Sequence, residues 1–356
     1  MIMASNTKNH PMIKKISILL LLSSSFLSSC SKFDQQTTRE VVQNYYKDGK
    51  LNGAVLIVQN DSVICDTVLG YADLNSQRPL QMNTPFYIAS LAKPITAIGI
   101  MLLEQKKLLS YDDRVSRYLN DLPDDVKEVT IRQLLTHTSG VCDYENVLTG
   151  KRELTNKDVM HWLQNQKLQF VPGTQYQYSN TGYIILAWII EKVSGTSVKQ
   201  FLKENIFQPL QLQHTEVYDE VKPDSANKAI GYNKDKVKDD YAQLTTGDGG
   251  IYATTGDLYK LDKALRTGFL LNKQNTEIMY QLPVFLDGKS GPYGFGWFVE
   301  NKETGKIAMH TGGLAGFRSL FWRDLKNNTT IIVLTNQGDA FPVYNFLDEI
   351  KETLVK

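Results

Sequence analysis

The chain lacks an excess of charge. Its 356 residues hold 39 Lys plus Arg against 38 Asp plus Glu, a formal net charge of +1. Proteins that grip phosphate backbones usually carry a clear basic excess, so nucleic acid is excluded as the expected partner. Cysteine and histidine are scarce, at three and five. No Cys/His cluster has zinc spacing, so neither a structural metal nor any cofactor is indicated. No apolar run approaches the roughly 20 residues that cross a bilayer, which excludes a membrane-spanning chain. No serine sits in a G-x-S-x-G elbow, and there is no internal repeat or low-complexity tract. What the chain does have is 42% hydrophobic residues, 14 Phe, 18 Tyr and 4 Trp. That is ample apolar surface to offset the entropy of ordering, so wholesale disorder is excluded too.

The first thirty residues stand apart. Lys14 and Lys15 precede the apolar run Ile16–Leu22, then come small polar residues and Leu27-Ser28-Ser29-Cys30. Basic start and short apolar run read as an export signal over residues 1–29. The ending resembles the lipobox of bacterial lipoproteins. That resemblance implies a lipid on Cys30, a tether over residues 30–39, anchoring to a membrane and a place in the cell envelope. The alternative is a plain signal peptide with an incidental cysteine. Cys65 and Cys142 are left either to pair in an oxidising compartment or to remain buried thiols.

From residue 40 onward the pattern is β, then helical, then β. A short helix starts at Val41–Tyr46. Ala54–Val58 and Ser62–Leu69 are β-branched runs parted by Gln59-Asn60-Asp61, a hairpin signal. The middle reads as helices: Lys93–Gln105, Ile131–Thr136 behind an N-cap at Thr130, Val159–Leu163 behind Thr155 and Asp158, Thr181–Val193 ending at Ser194-Gly195, and Leu258–Leu265 behind Thr254 and Asp257. Tyr293–Val299, Lys306–His310, Arg318–Arg323 and Thr329–Leu334 look extended, and Pro342 precedes a last helix. The economical fold is α/β of the α+β type: one antiparallel sheet joins both ends, terminal helices flank it, and residues about 95–285 form a mostly helical subdomain of a single domain, 40–356.

Three stretches carry chemistry. Ser90-Leu91-Ala92-Lys93 puts a hydroxyl and an ammonium on one face at a helix start, where free backbone N–H groups favour a developing oxyanion. Pro94 falls in the first turn, where a missing N–H costs least. Tyr178-Ser179-Asn180 lies in a loop before a helix. A tyrosine beside a lysine is expected to lose its proton more readily than free phenol and to act as general base. Asn180 either holds a substrate carbonyl or caps the helix, and the two roles are compatible. His310-Thr311-Gly312-Gly313 follows an apolar strand, where glycines admit a ligand close to the backbone.

In this order the stretches resemble the class C β-lactamase, DD-peptidase and esterase family of serine hydrolases. Thr130–Gly140, Pro172-Gly173 and Gly249–Thr254 match as well, so the likeness runs from about Asn52 to Asn336. It implies a β-lactamase/transpeptidase-like fold and an acyl-enzyme on Ser90. It implies Lys93 and Tyr178 as the proton-moving pair, Asn180 on the substrate amide, His310 and Thr311 in the substrate site, and backbone N–H groups of Ser90 and Gly313 as the oxyanion hole. The substrate would be a small molecule or peptide with an acyl group. His310 stands where β-lactamases usually have lysine and is largely neutral at pH 7, which lowers the expectation of efficient β-lactam hydrolysis. Arg318 is either a substitute positive charge or a solvated strand residue. His137 sits in what is a structural turn in the family, and a His-based triad is not expected. A DD-peptidase-like envelope enzyme leads, with a small-ester esterase or a non-catalytic penicillin-binding or sensor lipoprotein as alternatives.

Overall fold

A computed structural model of the chain describes residues 36–145, 147–148, 154–218, 227–240 and 245–354. Cys30, the expected export signal and most of the expected tether lie outside the described residues.

Eleven strands occur among the described residues: β1 Gly53–Gln59, β2 Ser62–Leu69, β3 Tyr71–Asp73, β4 Arg78–Pro79, β5 Phe86–Tyr87, β6 Glu216–Val217, β7 Ile251–Ala253, β8 Phe298–Lys302, β9 Gly305–Leu314, β10 Phe317–Asp324 and β11 Thr329–Thr335. The helices are α1 over residues 36–47, α2 Ala92–Gln105, α3 Asp124–Lys127, α4 Ile131–Leu135, α5 Asn156–Leu163, α6 Asn180–Ser194, α7 Val198–Leu202, α8 Thr255–Thr267, α9 Lys273–Met279 and α10 Val343–Thr353. Six strands form one sheet in the order β2-β1-β11-β10-β9-β8. Its pairings β1–β2, β1–β11, β10–β11, β9–β10 and β8–β9 are all antiparallel. The two ends of the chain therefore meet in one sheet, as the pattern required.

Side chains alternate across that sheet. Val55, Ile57, Leu320, Ile331 and Val333 pack against Val42, Tyr45, Phe346 and Ile350 of the terminal helices. Leu56, Val58, Phe321, Ile332 and Leu334 join the other cluster, with the helical middle. β11 is buried at every position because both its faces are covered. α2 and α6 are the buried helices of the middle layer, and Gly99 lets them close: a Cβ there would lie 2.9 Å from Ile190 Cδ1.

Local signals set the element ends. Asn60 and Asp61 both take positive φ, which gives the tight β1–β2 turn. Thr130 with Gln133, and Thr155 with Asp158, form complete capping boxes. Gly195, at φ +73, closes α6. Thr254 caps α8, but the Asp257 carboxylate turns away to the His214 N–H and the Thr215 hydroxyl. Two expectations shift. The strand expected at Tyr293–Val299 is β8 at Phe298–Lys302. Gly296 at φ +84 breaks the extended run, and a Cβ there would sit 2.6 Å from Pro94 Cα. β6 and β7 of the helical middle also form a small sheet with β5, in the order β5-β7-β6. Cys65 and Cys142 are both buried free thiols.

A buried ion pair ties α8 to the sheet. Arg323 Nε donates to Asp262 Oδ1 at 2.6 Å, and its guanidinium also reaches the Tyr280 hydroxyl. Asp262 Oδ2 accepts from Arg266 Nε at 3.0 Å and Thr330 Oγ1 at 2.7 Å.

Candidate active site

Ser90 sits in a short 3-10 turn, Ala89–Leu91, that runs directly into α2. Ala89 takes φ +48, a left-handed conformation that costs an L-residue about 1–2 kcal/mol. The turn is pinned on both sides. Ile88 N–H donates to Ile251 O at 3.0 Å, and Ser319 Oγ donates to Ile88 O at 3.0 Å. β9 presses on the same carbonyl, since a Cβ on Gly312 would lie 2.2 Å from Ile88 O. Glycine is required at that position, and it brings the strand edge against the serine turn.

Three residues on, Lys93 is fully buried. Its ammonium donates to Ser90 Oγ at 3.0 Å, Asn180 Oδ1 at 2.6 Å and the Asp248 carbonyl at 2.9 Å. All three partners are neutral oxygens. Among the described residues no carboxylate lies within salt-bridge distance of Nζ. Burial drives the lysine down to about 8, outweighing the attraction of the Asp248, Glu145 and Asp143 carboxylates. The Gly247–Gly250 loop that supplies the Asp248 carbonyl is itself fastened: Thr96 Oγ1 donates to Gly247 O at 2.7 Å, and Gly250 N–H to the Tyr87 hydroxyl at 3.1 Å.

Tyr178 lies with its ring centroid 4.9 Å from Lys93 Nζ. Here the sequence-based expectation is corrected. Burial pushes the Tyr178 phenol well above its ordinary value, and the neighbouring Ser90 opposes this only in part. Burial therefore favours the neutral form of both groups, the phenol of Tyr178 and the amine of Lys93.

Asn180 opens α6, but Ser179 is the cap: its Oγ accepts from Gly182 N–H at 3.2 Å. The Asn180 amide is thereby free for the site. Its oxygen faces Lys93, while Nδ2 donates to Asp143 at 3.1 Å and Glu145 at 2.7 Å. Burial raises both carboxyls above their usual range, and Asp143 raises Glu145 further. Asp143, Glu145 and Asp248 were not singled out from sequence. Asp248 directly precedes Gly249-Gly250, whereas Asp143 and Glu145 lie in a loop with no periodic signal.

His310 is buried on β9. Its Nδ1 lies 2.6 Å from the Thr311 carbonyl, which only accepts, so Nδ1 carries the proton and Nε2 accepts from the Tyr293 hydroxyl at 2.9 Å. Burial, then the Lys93 charge, lower it to about 3, so the ring is neutral at pH 7. Thr311 is half-buried and Gly313 exposed. Arg318 stands over Gly313, with Nη1 3.0 Å from where a Cβ on Gly313 would be. It donates to Phe317 O at 2.7 Å and pairs with Asp339, so it is neither free in solvent nor unpaired. His137 is buried too, and its Nδ1 accepts the Ser179 backbone N–H at 3.1 Å rather than a serine hydroxyl.

The site thus links Ser90, Lys93 and Asn180 by hydrogen bonds, with the Tyr178 ring against Lys93 and β9 alongside. A profile of the Beta-lactamase family matches residues 38–349. A penicillin-binding protein of Bacillus subtilis (strain 168) is 35% identical over 313 residues, 82% of this chain and 69% of that protein. The crystal structure of a penicillin binding protein from Bacillus halodurans is similar with a TM-score of 0.78 at 28% identity, over 88% of this chain and 98% of that one. A D-amino acid amidase from Ochrobactrum anthropi SV3 has a TM-score of 0.78 at 22% identity, over 90% and 98% of the two chains. That last likeness is one of fold alone.

Proposed function

This chain belongs to the Beta-lactamase family of serine hydrolases, and from that premise we propose that it cleaves an amide or ester by acylating Ser90. The observation that carries the reading is the buried Lys93, 3.0 Å from Ser90 Oγ, lowered to about 8 and with no ion pair among the described residues. At pH 7 roughly a tenth of such a lysine is neutral. Neutral Nζ takes the Ser90 proton as Oγ attacks the acyl carbonyl. The developing oxyanion rests on the backbone N–H groups of Ser90 and Gly313, donors typically worth about 3 kcal/mol. The protonated phenol of Tyr178 then gives its proton to the leaving group and recovers one from Lys93. Water enters by the same route in reverse and frees the acyl group.

Asn180, Thr311 and the β9 edge would seat the substrate, Asn180 exchanging one carboxylate partner for the substrate amide. His310 offers no cation, since it is neutral and both ring nitrogens are engaged within the protein. Its part is to hold Tyr293 under Tyr178. The leading substrate is a D-alanyl peptide of the cell wall, in keeping with an enzyme exported to the bacterial envelope and anchored through a lipid on Cys30. A small ester without a carboxylate is the second reading, favoured by the neutral His310.

Intact-protein mass spectra of the purified chain, mixed with a penicillin and sampled over time, test this. A lasting adduct on Ser90, absent in Ser90→Ala, supports a DD-peptidase-like enzyme. Ester turnover that depends on Ser90, with the penicillin untouched, supports the esterase. Acylation of Ser90→Ala at the wild-type level, or neither a penicillin adduct on Ser90 nor turnover of penicillin or ester, contradicts the proposal.

A further inference from the structure

One residue holds all three positions ahead of Asn180. Gln177 N–H donates to the His137 carbonyl at 2.9 Å. The Tyr178 ring lies against the His137 imidazole, centroids 4.3 Å apart at 37°. Ser179 N–H donates to His137 Nδ1 at 3.1 Å. His137 can do all this because it leaves α4 with φ +56, a left-handed conformation that a bulky residue adopts only when its surroundings impose it. That bend aims both its carbonyl and its ring at the segment of residues 177–179. The ring is 1% exposed and also meets Tyr183 and Tyr293, at 5.1 and 4.5 Å. Because Nδ1 accepts, the ring proton belongs on Nε2, which has no hydrogen-bond partner among the described residues. A buried N–H is left unsatisfied so that the other nitrogen can serve Ser179.

We infer that His137 is a positioning residue for acylation of Ser90: it fixes Tyr178 and Asn180 by gripping the segment that carries them. The inference rests on the acyl-enzyme reading above. Tyr178 must meet Ser90, and Asn180 Oδ1 must meet Lys93 at 2.6 Å. A misplacement near 1 Å in such a constellation costs about 10²-fold in rate. The Ser179 N–H bond also seats the cap of α6, so the same contact sets where Asn180 begins its helix.

Two variants of similar size separate the acceptor from the bulk. His137→Asn keeps an oxygen where Nδ1 stands and tolerates positive φ; His137→Leu has neither property. The reading is kcat and KM for a chromogenic ester. His137→Leu is expected to lower kcat about 10²-fold with KM changed by less than about threefold, and His137→Asn to recover at least about tenfold of that loss. Equal kcat in the two variants, or wild-type kcat in His137→Leu, overturns the inference. Should the leucine variant fail to fold, nitrogen-15 NMR of the wild-type imidazole decides. The Nε2–H tautomer is expected from pH 6 to 9; the Nδ1–H tautomer overturns the bridge, because a protonated Nδ1 cannot accept from Ser179. A wild-type chain that acylates on no ester counts against the acyl-enzyme reading, and the tautomer still decides the bridge.

Discussion

Two buried cations, Lys93 and Arg323, are treated in opposite ways by the same fold. Both are almost wholly removed from water. Arg323 is given a carboxylate, and Asp262 in turn is bonded by Arg266 and Thr330. Burial alone would lower the guanidinium, but Tyr280 and Asp262 more than reverse this and its charge is locked. Lys93 is given three neutral oxygens and its carboxylates are kept at a distance, so burial wins and the charge is loose. A paired buried cation fastens α8 to the sheet; one bonded only to neutral oxygens among the described residues is the base of the proposed mechanism.

Breaking each cation separates the two roles. Lys93→Met should lower kcat by about 10²–10⁴-fold, the usual contribution of a general base. Thermal unfolding of the same variant should give a Tm at or above wild type at pH 7. The sign follows from linkage. A lysine depressed when folded costs stability in full below its folded value of about 8. The cost fades as pH rises from there toward the ordinary lysine value of about 10.4. The advantage of Lys93→Met should therefore shrink between pH 8 and 10, and an advantage that grows there contradicts the account. Asp262→Ala is the converse. It strands a buried guanidinium and should cost about 3–5 kcal/mol in urea unfolding, while kcat per folded molecule stays near wild type.

Smaller changes sharpen the contrast. Glu145 raises Lys93 electrostatically. Glu145→Gln should move the midpoint of the kcat/KM profile to lower pH, measured by stopped-flow hydrolysis of an ester; movement upward speaks against the Lys93 assignment. The smallest effect is expected at the serine turn. Ala89→Gly relieves the left-handed φ of +48 and should leave stability unchanged or raise it by up to about 1 kcal/mol.

What was legible in the sequence was local. Asn60-Asp61, the N-cap at Thr130, the capping box at Thr155 and the Gly195 stop each act through the next few residues, and each was readable before the fold. So was the joining of both chain ends in one sheet, because periodicity alone separates β from helix. The order of Ser90, Lys93, Tyr178, Asn180 and His310 was enough to find the candidate site. Its electrostatics were not readable. Tyr178 was expected to be acidified by its lysine, but a side chain's burial depends on α2, α6 and β8 packing around it. For the same reason Asp143, Glu145 and Asp248 reach the site from two loops that no periodicity marks. The cap of α6 was assigned to Asn180 as one option, and the geometry gives it to Ser179, one residue earlier. That single step leaves the asparagine amide available to Lys93.

The central claim is that a buried lysine, bonded to neutral oxygens only among the described residues, deprotonates Ser90. The pH dependence of Ser90 acylation, followed by rapid-quench intact mass under single-turnover conditions from pH 5 to 10, tests it most directly. The account predicts a rate that climbs about tenfold per pH unit at low pH and levels off near pH 8, where Lys93 loses its proton. A rate flat across that range, or one still climbing at pH 10 as a tyrosinate base would require, contradicts it.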